Sequence, residues 1–180
     1  MTAIHPTSHT ASTSAIGTAS TPLEYVLGIT RLLMGWVFLW PFLDKTFGLG
    51  HETASKDAWV DGGSPTAGFL GNAVKGPFDG VYHDMAGQGW ADWLFMLGLL
   101  GIGVALILGV FVRLAAVSGV VLMVLMWAAV LPPDNNPFLD DHIIYALVLV
   151  TLALTHAGRF LGLGAIWQSM PFVKRSPILE

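Results

Sequence analysis

The stretch Leu94–Leu131, LFMLGLLGIGVALILGVFVRLAAVSGVVLMVLMWAAVL, decides the fold: it is a 38-residue run holding one charged side chain, Arg113. About 20 apolar residues cross the hydrocarbon core of a bilayer, so a run of this length folds back on itself, and Arg113 marks the turn. Two spans follow, Trp93–Val110 and Leu114–Leu131. Upstream, Leu23–Leu43 reads as another span, and downstream Asp141–Ala157 reads as a fourth. The whole chain agrees, because only 11% of its 180 residues are charged and 54% are apolar, with a mean hydropathy of +0.66. A soluble domain of this size carries about 25% charged residues. The expected architecture is therefore all-α, an integral membrane four-helix bundle over residues 23–165. A bilayer is its partner, and nucleic acid is not.

Outside the spans the chain is polar. Residues 1–22 are rich in Ser and Thr and read as a disordered tail, and residues 166–180 read as a C-terminal tail. The first tail lacks the Lys or Arg of a signal peptide before its first apolar stretch, so the first span is expected to remain in the mature protein. Arg113, Arg159, Lys174 and Arg175 gather on one side of the spans, opposite Asp134, Asp140 and Asp141, which puts both termini in the cytoplasm. The outer loop, residues 44–90, carries Lys45, Lys56 and Lys75 against a larger number of acids. Within it Ser64-Pro65 reads as a helix start and Gly76-Pro77 as a stop, with Phe69, Leu70, Ala73 and Val74 on one side. This short amphipathic helix lies at the outer surface or closes over a cavity.

Small residues four apart allow membrane helices to approach closely. Gly101, Ala105 and Gly109 make such a stripe, as do Ala115 with Gly119 and Ala153 with Ala157. Their expected role is structural.

The candidates for chemistry are few. The chain has no cysteine, which excludes disulfides, thiolate metal sites and covalently attached c-type haem, and no metal site is expected. Arg31 falls about 12 Å inside the first span, where a charge is costly and must face the protein interior. Glu24, Gly28 and Gly35 lie within about 60° of it around the helix, so a small, polar face is expected, with Glu24 as the partner if Arg31 snorkels towards the cytoplasm. At the start of the fourth span Asp140 is a good N-cap, and Asp141 and His142 follow it. A carboxylate beside a histidine could also exchange protons with a quinone ring. His142 and His156 recur about 21 Å apart on one face, yet a haem pair needs facing histidines on a second span, and His5, His9, His51 and His83 lie in the tail or the loop. Trp36, Trp40, Trp90, Trp93 and Trp127 fall at the outer ends of their helices as an aromatic belt, which would also offer stacking surfaces to a quinone.

Arg31 and Gly35 in the first helix, Asp44-Lys45 after it, Ser64–Leu70 and Lys75–Phe78 in the loop, Asn136–His142 and Ala157-Gly158-Arg159 together form a pattern that resembles the DoxX/DoxD family. The resemblance implies a multi-pass protein of a prokaryotic plasma (inner) membrane, similar to the large subunit of thiosulfate:quinone oxidoreductase. It carries over no catalytic residue set. An enzyme of this kind would need a cationic outer site and a quinone pocket, for which Lys45, Lys75, His142 and the outer tryptophans are the candidates, with Arg31 and Asp141 beside them. Its cofactor would be a bound quinone, none being held covalently. A second reading is a non-catalytic accessory subunit docked on another membrane or extracytoplasmic redox subunit, such as a cytochrome-containing respiratory complex. A small transporter, with Arg31 and Asp44-Lys45 lining its path, is the third.

Overall fold

The computed structural model describes residues 21–179, and every regular element among them is helical. Residues 1–20, which make up nearly all of the expected N-terminal tail, lie outside the described part. Helix α1 (Pro22–Phe47) starts at a capping box: Glu24 N donates to Thr21 Oγ1, and Thr21 N donates back to the Glu24 carboxylate at 2.8 Å. It runs four residues beyond the expected end at Leu43, through Pro41, and stops where Gly48 adopts a left-handed conformation.

The outer loop then forms two short 3-10 turns and two short helices, α2 (Ala67–Asn72) and α3 (Asp79–Met85). Helix α2 lies inside the stretch read as amphipathic, with Leu70 and Val74 buried against Ala129, although Ala73 is exposed. Helix α3 has no counterpart in the sequence reading.

Helices α4 (Gly89–Leu108) and α5 (Val112–Ala129) divide the long apolar run. The break falls at Gly109, not Arg113: Gly109 takes φ 76°, its N–H bonds the carbonyls of Ala105 and Leu106, and Phe111 is also left-handed. A glycine accepts this cap without a Cβ clash, whereas Arg113 fits inside the first turn of α5. Helix α6 (Asp141–Leu154) starts at its Asp140 cap, as expected, but ends three residues short of Ala157. The C-terminal stretch read as a tail instead folds into α7 (Gly164–Ser169) and α8 (Pro171–Lys174).

Helices α1, α4 and α5 are long and apolar enough to cross a membrane, and α6 is a shorter apolar helix of 14 residues. The pairs α1/α4, α4/α5, α5/α6 and α1/α6 pack on a shared core that includes Phe38, Met96, Leu106 and Leu149. The outward faces stay apolar, with Leu33, Leu97, Val121 and Leu147 exposed, as lipid-facing helices require.

The closest approach of α1 and α4 uses Gly35 and Gly103. A Cβ on Gly35 would lie 2.7 Å from Ile107 Cγ1, and one on Gly103 would lie 2.9 Å from the Leu39 backbone nitrogen. The Gly101–Ala105–Gly109 stripe does not make this contact. Gly101 is exposed with open space around it, Ala105 is half-buried and Gly109 is the cap. Two residues advance about 200° around a helix, so Gly101 and Gly103 face nearly opposite ways. Gly119 does face α6: a Cβ there would lie 2.8 Å from Leu149 Cδ1.

Candidate functional site

Chemistry-bearing side chains collect at the two ends of the helices. At one end Arg31 is fully buried, and its guanidinium donates only to backbone carbonyls. Nη1 bonds Leu106 O and also Ile107 O, the latter at 2.9 Å; Nη2 bonds Phe160 O and Leu161 O, each at 3.0 Å. Leu106 and Ile107 belong to the last turn of α4, whose carbonyls carry the negative end of the helix dipole; Leu106 O also accepts the Gly109 N–H at 3.2 Å. The four acceptors take the place of a carboxylate. Glu24, the expected partner, is occupied in the capping box, so Arg31 does not snorkel. Glycines make the cradle possible: a Cβ on Gly162 would lie 2.8 Å from Arg31 Nη2, and one on Gly109 would lie 2.6 Å from Gly158 O. Gly28 packs on Leu161 of the same loop. Beside this knot Arg113 Nη2 lies 2.7 Å from His156 Nε2. His156 sits past the end of α6 in a left-handed conformation, so it does not share a helix face with His142.

The other end carries the outer loop and every tryptophan except Trp167, which packs on Phe111. Asp44 is buried and accepts N–H bonds from His51, Glu52 and Thr53 at 3.3, 3.0 and 2.9 Å, closing the chain around the end of α1. Asp92, buried in the first turn of α4, accepts from Ser64 Oγ, Thr66 N and Thr66 Oγ1. Both carboxylates are satisfied by hydrogen bonds of the loop they hold, which makes them anchors. Asp92 was not singled out in the sequence, although an acid in the first turn of an apolar span was the available signal. Tyr82 Oη donates to Leu125 O and ties α3 to α5, and burial raises its phenol above the ordinary tyrosine range.

An open cleft of about 490 Å³ lies between the α2–α3 connection and the α5–α6 connection. Lys75, Asp134, Asn135, Asp140 and Asp141 line it, and Lys75 pairs with Asp134 at 2.7 Å in an exposed bridge. Asp140 divides its carboxylate: Oδ1 accepts the His142 backbone N–H at 3.1 Å, and Oδ2 lies 2.7 Å from His142 Nδ1. A carboxylate partner selects the Nδ1–H tautomer of a neutral imidazole, which leaves Nε2 as the proton acceptor. The cap and the carboxylate–imidazole contact thus use the same two residues. Trp127 Nε1 donates to Phe138 O at 2.9 Å, placing its indole on the same connection.

Of the sequence candidates, Lys75, Asp140 and Asp141 line this cleft, while His142 is held behind it by Asp140 and Trp127 by Phe138 O. Arg31 lies at the opposite end. Lys45 is half-buried beside the Asp44 loop and does not line the cleft. Of the other tryptophan candidates, Trp36 packs on Trp40, Trp40 meets His51 edge-on at 5.0 Å, Trp93 meets Trp59 at 4.7 Å, and Trp90 is exposed. Compared with family models, curated proteins and solved structures, the chain matches none.

Proposed function

We propose that the chain is a DoxX-like four-helix membrane subunit of quinone-linked redox metabolism, with its loop outside and both termini inside the membrane of a prokaryote. The observation that carries this reading is Asp140, which lines an open cleft and at the same time holds His142 Nδ1 at 2.7 Å. A quinone takes up two electrons and two protons on reduction, and a histidine held in one tautomer by a carboxylate can act towards it as a general acid–base group. Trp127 supplies an aromatic surface on the same connection.

The electron donor fits this cleft less well. Asp134, Asp140 and Asp141 outnumber Lys75 along its wall, and a thiosulfate dianion would meet net negative charge there. This favours a division of labour in which a partner subunit oxidises the donor and this chain serves the quinone. A transporter reading loses its main support, because Arg31 is locked by backbone carbonyls and does not line a polar path.

The test is gentle extraction from native membranes, affinity purification of the whole chain, and mass spectrometry with an absorption spectrum. Bound quinone and a stoichiometric redox partner are expected. His142→Gln should retain the partner while quinone reduction falls by roughly a hundredfold. A chain that carries neither quinone nor a redox partner, or full turnover in His142→Gln, would overturn the proposal.

A further inference from the structure

From His142 to Leu179 the sequence holds no Asp or Glu, while Arg159, Lys174 and Arg175 fall within it. In the structure Arg159 shares a small pocket with Glu24 and Tyr25 of α1, while Lys174 and Arg175 close α8. The chain leaves α6, turns at His156 and runs back beneath the helix ends: Leu163 N bonds Leu108 O at 2.8 Å, and Trp167 packs on Phe111 at 4.3 Å and on Phe172 at 5.4 Å. Trp167 Nε1 also donates to Leu179 O, and Val173 is fully buried beneath the segment. Its outward side is of two kinds. Leu163, Ile166, Phe172 and Ile178 are at least half exposed, and Arg159, Lys174 and Arg175 are exposed among them. Among the described residues the one acid at this end is Glu24, which is held in its capping box.

We propose that residues 159–179 form an interfacial foot that binds the headgroups of anionic phospholipids through Arg159, Lys174 and Arg175. The position argues for lipid as the occupant. The segment is level with the end of α4 and the start of α5, where hydrocarbon gives way to headgroups, and its attachment to those helices keeps its charges within a Debye length of the bilayer surface. Exposed leucine, isoleucine and phenylalanine side chains enter the acyl boundary, while the neighbouring bases reach phosphodiester oxygens. A soluble anion would satisfy the bases alone and leave the apolar side chains in water.

The experiment uses the purified full-length chain in mild detergent, supplied with phosphatidylglycerol, phosphatidylcholine or inorganic phosphate, with retained lipid read by native mass spectrometry and Tm followed in parallel. Wild type should retain phosphatidylglycerol over phosphatidylcholine and gain thermal stability from it, with no gain from phosphate. Each basic residue near an anionic surface changes affinity by about fivefold, so the double variant Lys174→Gln/Arg175→Gln should lose the preference by on the order of 20-fold at unchanged helicity. Ile166→Ser/Phe172→Ser, altered only at exposed positions, should weaken retention of both lipids. Equal retention of the two lipids by wild type, an undiminished preference in the charge variant, or a phosphate effect equal to that of phosphatidylglycerol would each overturn the proposal.

Discussion

A buried guanidinium without a carboxylate sets the residue scale of this protein. Arg31 is held by carbonyls at the end of α4 and in the Phe160–Leu161 loop, so its removal takes a charged donor from four acceptors at once. Hydrogen bonds to charged groups contribute about 1.5–3 kcal/mol each, and their loss is not additive. Arg31→Gln should therefore destabilise the protein by roughly 3 kcal/mol or more in detergent unfolding. Arg31→Lys should recover only part of this, because an ammonium cannot span carbonyls on two sides as the planar fork does. The Lys75–Asp134 bridge is the opposite case: both side chains are exposed, and Lys75→Gln should change stability by less than about 1 kcal/mol, within reach of added salt. Tyr82→Phe removes one hydrogen bond to Leu125 O and should cost about 1 kcal/mol, with faster hydrogen exchange confined to α3.

At the scale of elements, the packing of α1 on α4 turns on two glycines. Gly103→Val should destabilise by about 1–3 kcal/mol, because the new side chain meets the Leu39 backbone, whereas Gly101→Val should stay within about 0.5 kcal/mol. Thermal unfolding of the two variants side by side checks this, and equal effects would mean that α4 is rotated from the orientation described. Spacing in the sequence marked Gly101, with Ala105 and Gly109, and passed over Gly103. Only the direction from which α1 arrives distinguishes the two glycines. The loop shows the same division: Ser64-Pro65 and Gly76-Pro77 bracket α2 legibly, but α3 has exposed Phe78 and Val81 and is held by Tyr82 on α5, a contact with no local signal.

For the whole molecule the decisive question is how a 14-residue helix completes the assembly. Helix α6 is about 21 Å long, against about 30 Å of hydrocarbon. Yet it starts at the Asp140 cap near the tryptophan end, and the residues just after it bond Arg113 and Arg31 at the other end. The native chain has no cysteine, so single Ser55→Cys and Ser169→Cys variants can be labelled in sealed vesicles with a membrane-impermeant maleimide. The two positions should label from opposite sides. Labelling from one side would mean that α6 does not cross.

The sequence by itself determined that the chain is helical and belongs in a bilayer. It also located α1, α4, α5 and α6 to within a few residues and identified the Asp140 cap, because burial in hydrocarbon demands long apolar segments with internally bonded backbones. Tertiary structure alone decided that Arg31 is bound by carbonyls rather than Glu24, that Gly103 rather than Gly101 lies between α1 and α4, and that Lys75 lines one cleft with Asp140 and Asp141 while Lys45 does not. It also decided that the C-terminal residues form a folded segment. In each case the partner comes from a distant part of the chain, and periodicity records which residues share a face but not which element packs against that face.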